Sequence, residues 1–171
     1  MAAEQLKGLV AYCLVGHSER RRFHHEKGSV ISEQVKQLLA QNITPVVCFG
    51  EMTQSPHKAL SNQVTLDLAQ DLADLDSEEI QKCLFAYEPL WAIGTGNPAT
   101  SDYVAYVIEH VKLWAKDKWK LDIAILYGGS VNEDNAESLG KIPSLNGLLV
   151  GGASLHIKSF KKVCSLYDTS V

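Results

Sequence analysis

Apolar positions along this chain fall into two patterns that alternate. Short continuous runs occur at residues 11–15, 45–49, 84–87, 123–127 and 148–150. They are too short for helices and lack in/out alternation, which predicts parallel strands buried on both faces. Between them the spacing becomes that of a helix with one apolar side. Ile31, Val35, Leu38 and Leu39 form one such stripe, with Asn42 suited to a left-handed cap. Ser55 and Pro56 suit the N-cap and first turn of a second helix reaching about Leu72. Thr100 is placed to cap a third, with Val104, Val107, Ile108 and Val111 on one side. Asn132 is placed to cap a short fourth over residues 133–139, stopped by Gly140. A last helix over about 156–166 turns Phe160 and Val163 inward, and Leu6, Leu9 and Val10 suit the tail of an earlier helix.

Five strand–helix units in sequence imply an α/β fold with a parallel sheet and right-handed crossovers. No repeat or Ser/Gly-rich linker divides the chain, so residues 1–171 are read as one domain. The polar residues of interest follow the runs: Gly16-His17-Ser18-Glu19, Gly50-Glu51, Glu88, Gly128-Gly129-Ser130 and Gly151-Gly152. Sites of parallel α/β proteins lie at the carboxyl ends of their strands.

Composition narrows the function classes. The net charge of −4 gives no general attraction to nucleic acid or to an anionic membrane. No apolar run reaches the length of a membrane span. The cysteines at 13, 48, 83 and 164 are scattered, without a Cys-x-x-Cys, which fits reduced, mostly buried thiols in a cytoplasmic protein and argues against a metal site.

Four groups of residues can carry chemistry. Glu88 ends an apolar run and is followed by Pro89, Leu90, Trp91 and two glycines, Gly94 and Gly96. Proline stiffens the start of such a loop and glycine frees its end, as a general base beneath a closing lid requires. The plainer alternative is a surface glutamate beside turn glycines. His17 precedes a predicted helix start, whose amides favour a lone pair on the imidazole, leaving the other nitrogen to donate to a carbonyl. A structural histidine satisfied by backbone is the alternative there. Arg20-Arg21-Arg22 stands between Glu19 and Glu26 and reads as a solvated or salt-bridged face rather than a nucleic-acid patch. The pairs Gly128-Gly129 (with Ser130) and Gly151-Gly152 can bring backbone amides close to an anion, or serve only as turns. Neither matches a P-loop or a dinucleotide fingerprint, so a small phosphate suits them better than ATP or NAD.

Four ordered stretches together resemble the triosephosphate isomerase family: residues 16–21 (GHSERR), 86–96 (AYEPLWAIGTG), 127–131 (YGGSV) and 147–155 (GLLVGGASL). The resemblance covers essentially the whole chain. It implies a TIM (β/α)8 barrel, here incomplete, with about five βα units equivalent to family strands 4 to 8. It also implies the interconversion of dihydroxyacetone phosphate and glyceraldehyde 3-phosphate through an enediolate, with no cofactor and no metal. The roles it brings are those already described for this family. Glu88 is then the base that moves a proton between carbons. His17 polarises the carbonyl, and Glu19 is a supporting carboxylate. Residues 89–96 are the lid, with Pro89, Trp91, Ile93, Thr95 and Gly96 among its parts. The Gly94 amide, Ser130, Gly151 and Gly152 hold the phosphate, and Ser18 steadies Glu88 when the lid is open.

One part of the family pattern has no match: the Asn-x-Lys stretch of the first family strand, whose lysine contacts substrate. A full barrel takes about 250 residues, so roughly 80, or three βα units, are expected to be missing. The expectation is therefore a fragment with weak or no activity by itself. The complete family member is a homodimer, which is not assumed for this chain. An inactive phosphate-binding or structural remnant acting through a partner chain is the competing reading.

Overall fold

The computed structural model describes residues 2–55, 62–93 and 98–168. Its centre is one five-stranded parallel sheet in the order of the chain. The strands are β1 (Tyr12–Val15), β2 (Thr44–Glu51), β3 (Leu84–Pro89), β4 (Ile125–Tyr127) and β5 (Gly147–Leu148). Helices follow each strand: α1 (Ser18–His24) and α2 (Ser29–Leu39), α3 (Asn62–Asp71) and α4 (Ser77–Gln81), α5 (Ser101–Lys118), α6 (Ala136–Gly140), and α7 (Ile157–Asp168). This is an open barrel of five βα units.

The two faces of the sheet differ. Val47, Phe49, Phe85, Tyr87, Ile125 and Tyr127 point toward the helices and belong to one continuous core. Against them lie Val104, Val107, Ile108 and Val111 of α5, all fully buried. Each such side chain contributes about 1.5–3 kcal/mol through burial, well above the few tenths separating residues by helix propensity. Tertiary packing therefore fixes α5, and the Thr100 hydroxyl that accepts from the Tyr103 amide only trims its start. The alternate residues Val46, Cys48 and Ala86 form a thinner cluster on the other face, with Leu84, Leu126 and Leu149 beside it. No described helix covers that face, and Tyr12, Leu14, Val46, Leu84, Leu126 and Leu149 line an open hollow of about 360 Å³ on it.

Several expectations change. Strand β1 is not buried on both faces: Tyr12 is 61% and Leu14 45% exposed, because β1 is an edge and the face they share is bare. Helix α4 is an addition, with Asp76 and Glu79 forming a reciprocal capping box around it. Helix α6 starts at Ala136, since Asn132 Oδ1 accepts from the Asp134 and Asn135 amides and holds 133–135 in a turn. Phe160 is 40% exposed while Val163 is buried, so α7 turns only one of the two inward. Near the start, the helical turn spans Ala3–Leu6 as a 3-10 turn and leaves Leu9 77% exposed. Pro56 lies outside the described residues, and the Ser55 hydroxyl donates to Glu51. Asn42 does adopt the left-handed conformation, with φ of 58°. Cys48 and Cys83 are buried thiols, but Cys13 is only half-buried and Cys164 is exposed.

Candidate active site

The carboxyl ends of β1, β3, β4 and β5 surround one cavity of about 490 Å³. Each contributes a short polar segment. His17 and Ser18 come from the junction of β1 and α1, Glu88 from the end of β3, Ser130 and its two glycines from β4, and Gly151-Gly152 from β5. Ile93 also lines it. Parallel strands all deliver their following loops to one rim, which is why residues as distant in sequence as His17 and Gly152 meet.

His17 is the N-cap of α1, and its Nδ1 accepts from the Glu19 amide at 3.4 Å. An accepting Nδ1 leaves the ring proton on Nε2. That nitrogen stands 3.1 Å from Glu88 Oε1. The other carboxylate oxygen, Oε2, accepts from the Ser18 amide at 3.0 Å. Glu88 is 2% exposed. Burial raises its pKa above the ordinary carboxylate value, and His17, the Ser18 bond and the more distant Arg21 guanidinium oppose that rise. A carboxylate moved toward neutrality in a cleft, with one imidazole and one amide on its two oxygens, has the makings of a general base. Glu19 is exposed, and its contact with His17 is made by its backbone amide.

The glycines divide into two kinds. At Gly151 and Gly152 a side chain would meet open space, so backbone lies bare toward the cavity. Gly129 is required by packing, because the Tyr127 phenol occupies the volume a Cβ would need. Gly128 sits directly against the Glu88 side chain. The Ser130 hydroxyl donates to the Ala92 carbonyl at 3.2 Å, joining the β4 loop to the start of the segment expected to be a lid. Pro89 ends β3, and Trp91 lies in a 3-10 turn over Leu90–Ala92. Gly94, Thr95 and Gly96 lie outside the described residues.

Glu51 is a hub to which the amino-acid sequence alone assigns no role. It is 3% exposed. Its Oε1 accepts from Tyr87 at 2.8 Å, Trp91 Nε1 at 3.3 Å and Tyr103 at 2.5 Å, and its Oε2 accepts from Ser55 Oγ at 3.1 Å. Burial, with Glu51 beside them, pushes the Tyr87 phenol far up and the Tyr103 phenol to about 12, so both keep the protons they donate. The only signal in the sequence is a lone acid just after a glycine at a strand end, which does not separate a hub from a surface residue.

The arginine run is a partly salt-bridged surface, as expected, except at Arg21. Arg20 pairs with the buried Glu26, and Arg22 lies over the Phe23 ring at 5.1 Å. Arg21 turns back under the site and reaches both β2 and α3.

The family model described as triosephosphate isomerase matches residues 1–167. Among curated proteins, the chain is 36% identical over 160 residues to a triosephosphate isomerase of Phocaeicola vulgatus, covering 91% of this chain and 64% of that protein. It is 40% identical over 163 residues to one from Mycoplasmoides gallisepticum, covering 92% and 65%. It is 37% identical over 172 residues to one from Dichelobacter nodosus, covering 95% and 69%. The chain thus spans about 65% of the length of the first relatives it matches. With a matching model over nearly its whole length and the ordered strand–helix units that such a barrel requires, the chain belongs to the triosephosphate isomerase family.

Proposed function

We propose that this chain carries the proton-transfer half of a triose-phosphate isomerase site, which interconverts dihydroxyacetone phosphate and glyceraldehyde 3-phosphate in glycolysis and gluconeogenesis. The observation that carries this is the Glu88 carboxylate, buried yet facing a cavity, with His17 Nε2 at 3.1 Å and the Ser18 amide at 3.0 Å. In this reading Glu88 takes the proton from one substrate carbon and returns it to its neighbour, the intermediate being an enediolate. His17 donates from Nε2 to the substrate oxygen. Ser18 parks the carboxylate while the site is empty and Glu19 supports His17. The phosphate lies against Gly151, Gly152 and Ser130, beneath the lid that runs from Pro89 through Gly96 and supplies the Gly94 amide. Neither cofactor nor metal takes part. The completed enzyme acts in the cytoplasm as a homodimer.

Activity is assigned to this chain completed to the family's length. The test is turnover of glyceraldehyde 3-phosphate by the 171-residue chain, with and without the remaining third of a family member added as a second polypeptide. Near-background turnover alone, rising on completion, is expected. A completed barrel without turnover overturns the isomerase reading.

The bare apolar face and the two sheet edges left unpaired among the described residues favour a second reading. In it the chain is a phosphate-binding or structural remnant held by a partner. That reading predicts retained binding of inorganic phosphate and no turnover even after completion.

A further inference from the structure

We propose that Arg21 is a positioning residue for the His17–Glu88 pair, clamping the peptide that precedes His17 onto strand β2 and helix α3. The inference rests on the proposed isomerase site and extends it to a side chain that does not touch the cavity's reacting centre. The guanidinium makes three contacts. Its Nε donates to the Gly16 carbonyl at 2.6 Å, one Nη donates to the Cys48 carbonyl of β2 at 2.7 Å, and the other lies 2.8 Å from Asp71 Oδ2 at the end of α3. Asp71 is itself fixed. Its Oδ1 accepts from the Gly28 amide at 2.7 Å and its carbonyl accepts from Ser32 Oγ at 2.7 Å.

The geometry explains why this matters for the site. The Gly16 carbonyl belongs to the same peptide plane as the His17 nitrogen, so holding one sets the other. Gly16 has φ of 65°, and the space its side chain would fill is taken by the Arg21 guanidinium. Only glycine there admits the clamp. The Cys48 carbonyl lies two residues before Gly50, which is the register partner of Glu88. One planar fork therefore ties the strand beside the base to the turn that carries the imidazole. A lysine offers a single ammonium and cannot reproduce three directed contacts.

Charge adds to the geometry. The groups facing Glu88 are His17, Ser18 and Arg21 from α1 and its cap and Cys48 from β2, with Glu19 on the wall of the same cavity. Of these, Arg21 is the one that stays cationic at every working pH. It favours the ionised form of Glu88 without occupying either of its oxygens.

The experiment is NMR on Arg21→Lys and Arg21→Gln, reading the His17 ring nitrogens and the Glu88 carboxyl carbon through a pH titration. Each variant is first checked for amide dispersion. In folded Arg21→Gln the expected result is a loss of the single Nε2–H tautomer of His17 and an upward move of the Glu88 midpoint. Arg21→Lys is expected to lose the tautomer while keeping most of the midpoint. A merely structural role would lower the melting temperature and leave both readouts unchanged in the folded variants, which would overturn the proposal. Should Arg21→Gln not fold, Asp71→Asn carries the test, because it keeps an acceptor for Gly28 and removes only the charge that holds Arg21. An unaltered His17 tautomer in that variant overturns the clamp equally. In the completed barrel, Arg21→Lys is expected to lower kcat by about ten- to a hundredfold with little change in KM. Absence of turnover in the completed wild-type barrel would remove the isomerase reading, while the NMR titration would still decide whether the clamp exists.

Discussion

Glu88 holds a cost within its function. Its buried carboxyl has a raised pKa, burial being the largest cause. For a carboxyl raised on folding, the folded chain holds the proton more tightly than the unfolded chain. The associated stability is fully present below the unfolded value of 4.5 and is lost as pH rises through the folded one. As pH rises toward neutrality the folded protein therefore gives up the stability that burial lends to the neutral carboxyl. Glu88→Gln is expected to raise the melting temperature at pH 7, and the difference from wild type should shrink below about pH 4.5. Thermal melts at the two pH values check this, and a Gln variant less stable at pH 7 would contradict it. Both His17 and Glu88 were legible in the sequence because each stands where an apolar run gives way to a turn, within a stretch resembling the family. Arg21 and Glu51 were not. A cation between two acids reads as a surface charge, and a single acid after glycine shows nothing of the phenols that converge on it from 36 and 52 residues away.

Among the elements, the β2–β3 pair sets the position of the base. Gly50 is the register partner of Glu88, and a Cβ there would overlap the Glu88 carbonyl. Gly50→Ala must push β3 away or tilt it. The expected cost is about 1–3 kcal/mol, typical of forced overpacking. Denaturant unfolding measures it, and the Ser18 amide resonance should shift as its bond to Glu88 lengthens. An Ala variant of wild-type stability would show that the strands part at no cost. Strand and helix positions were largely legible at this scale, since continuous apolar runs mark strands buried by helices and the α5 stripe recurs with helical spacing. The misses share a cause. Helix α4 has five residues, too few for periodicity, and Phe160 sits on a helix with one buried side chain, Val163, so its neighbours do not decide which way it faces.

On the scale of the whole molecule, the covered middle and the bare margins should differ in rigidity. β2 and β3 are flanked by strands on both sides, whereas β1 and β5 each have one partner among the described residues. Amide hydrogen exchange is expected to be slowest in Val46–Phe49 and Phe85–Tyr87 and much faster in Tyr12–Val15. Supplying the remaining third of the family's length should slow β1 most. Uniform protection across all five strands would mean that the margins are sealed by some other contact. The α/β class and the count of five units were legible because each unit repeats the same hydrophobic logic. That residues 11–15 and 148–150 form the margins left unpaired among the described residues followed from five units of a longer barrel, whereas the exposure of Tyr12 and Leu14 did not, since a run covered on one face and a run covered on two can be spelled alike.

The four cysteine thiols sit at graded depths. Cys164 is exposed on α7 and Cys13 half-buried on β1, while Cys83 is 5% and Cys48 0% exposed in the interior. Burial also lifts the Cys83 thiol to about 12, so it resists alkylation even where a reagent can reach it. A thiol reagent thus enters this molecule as a plumb line would, touching the two rims before the floor. The order in which the sulfurs react records which layer has opened.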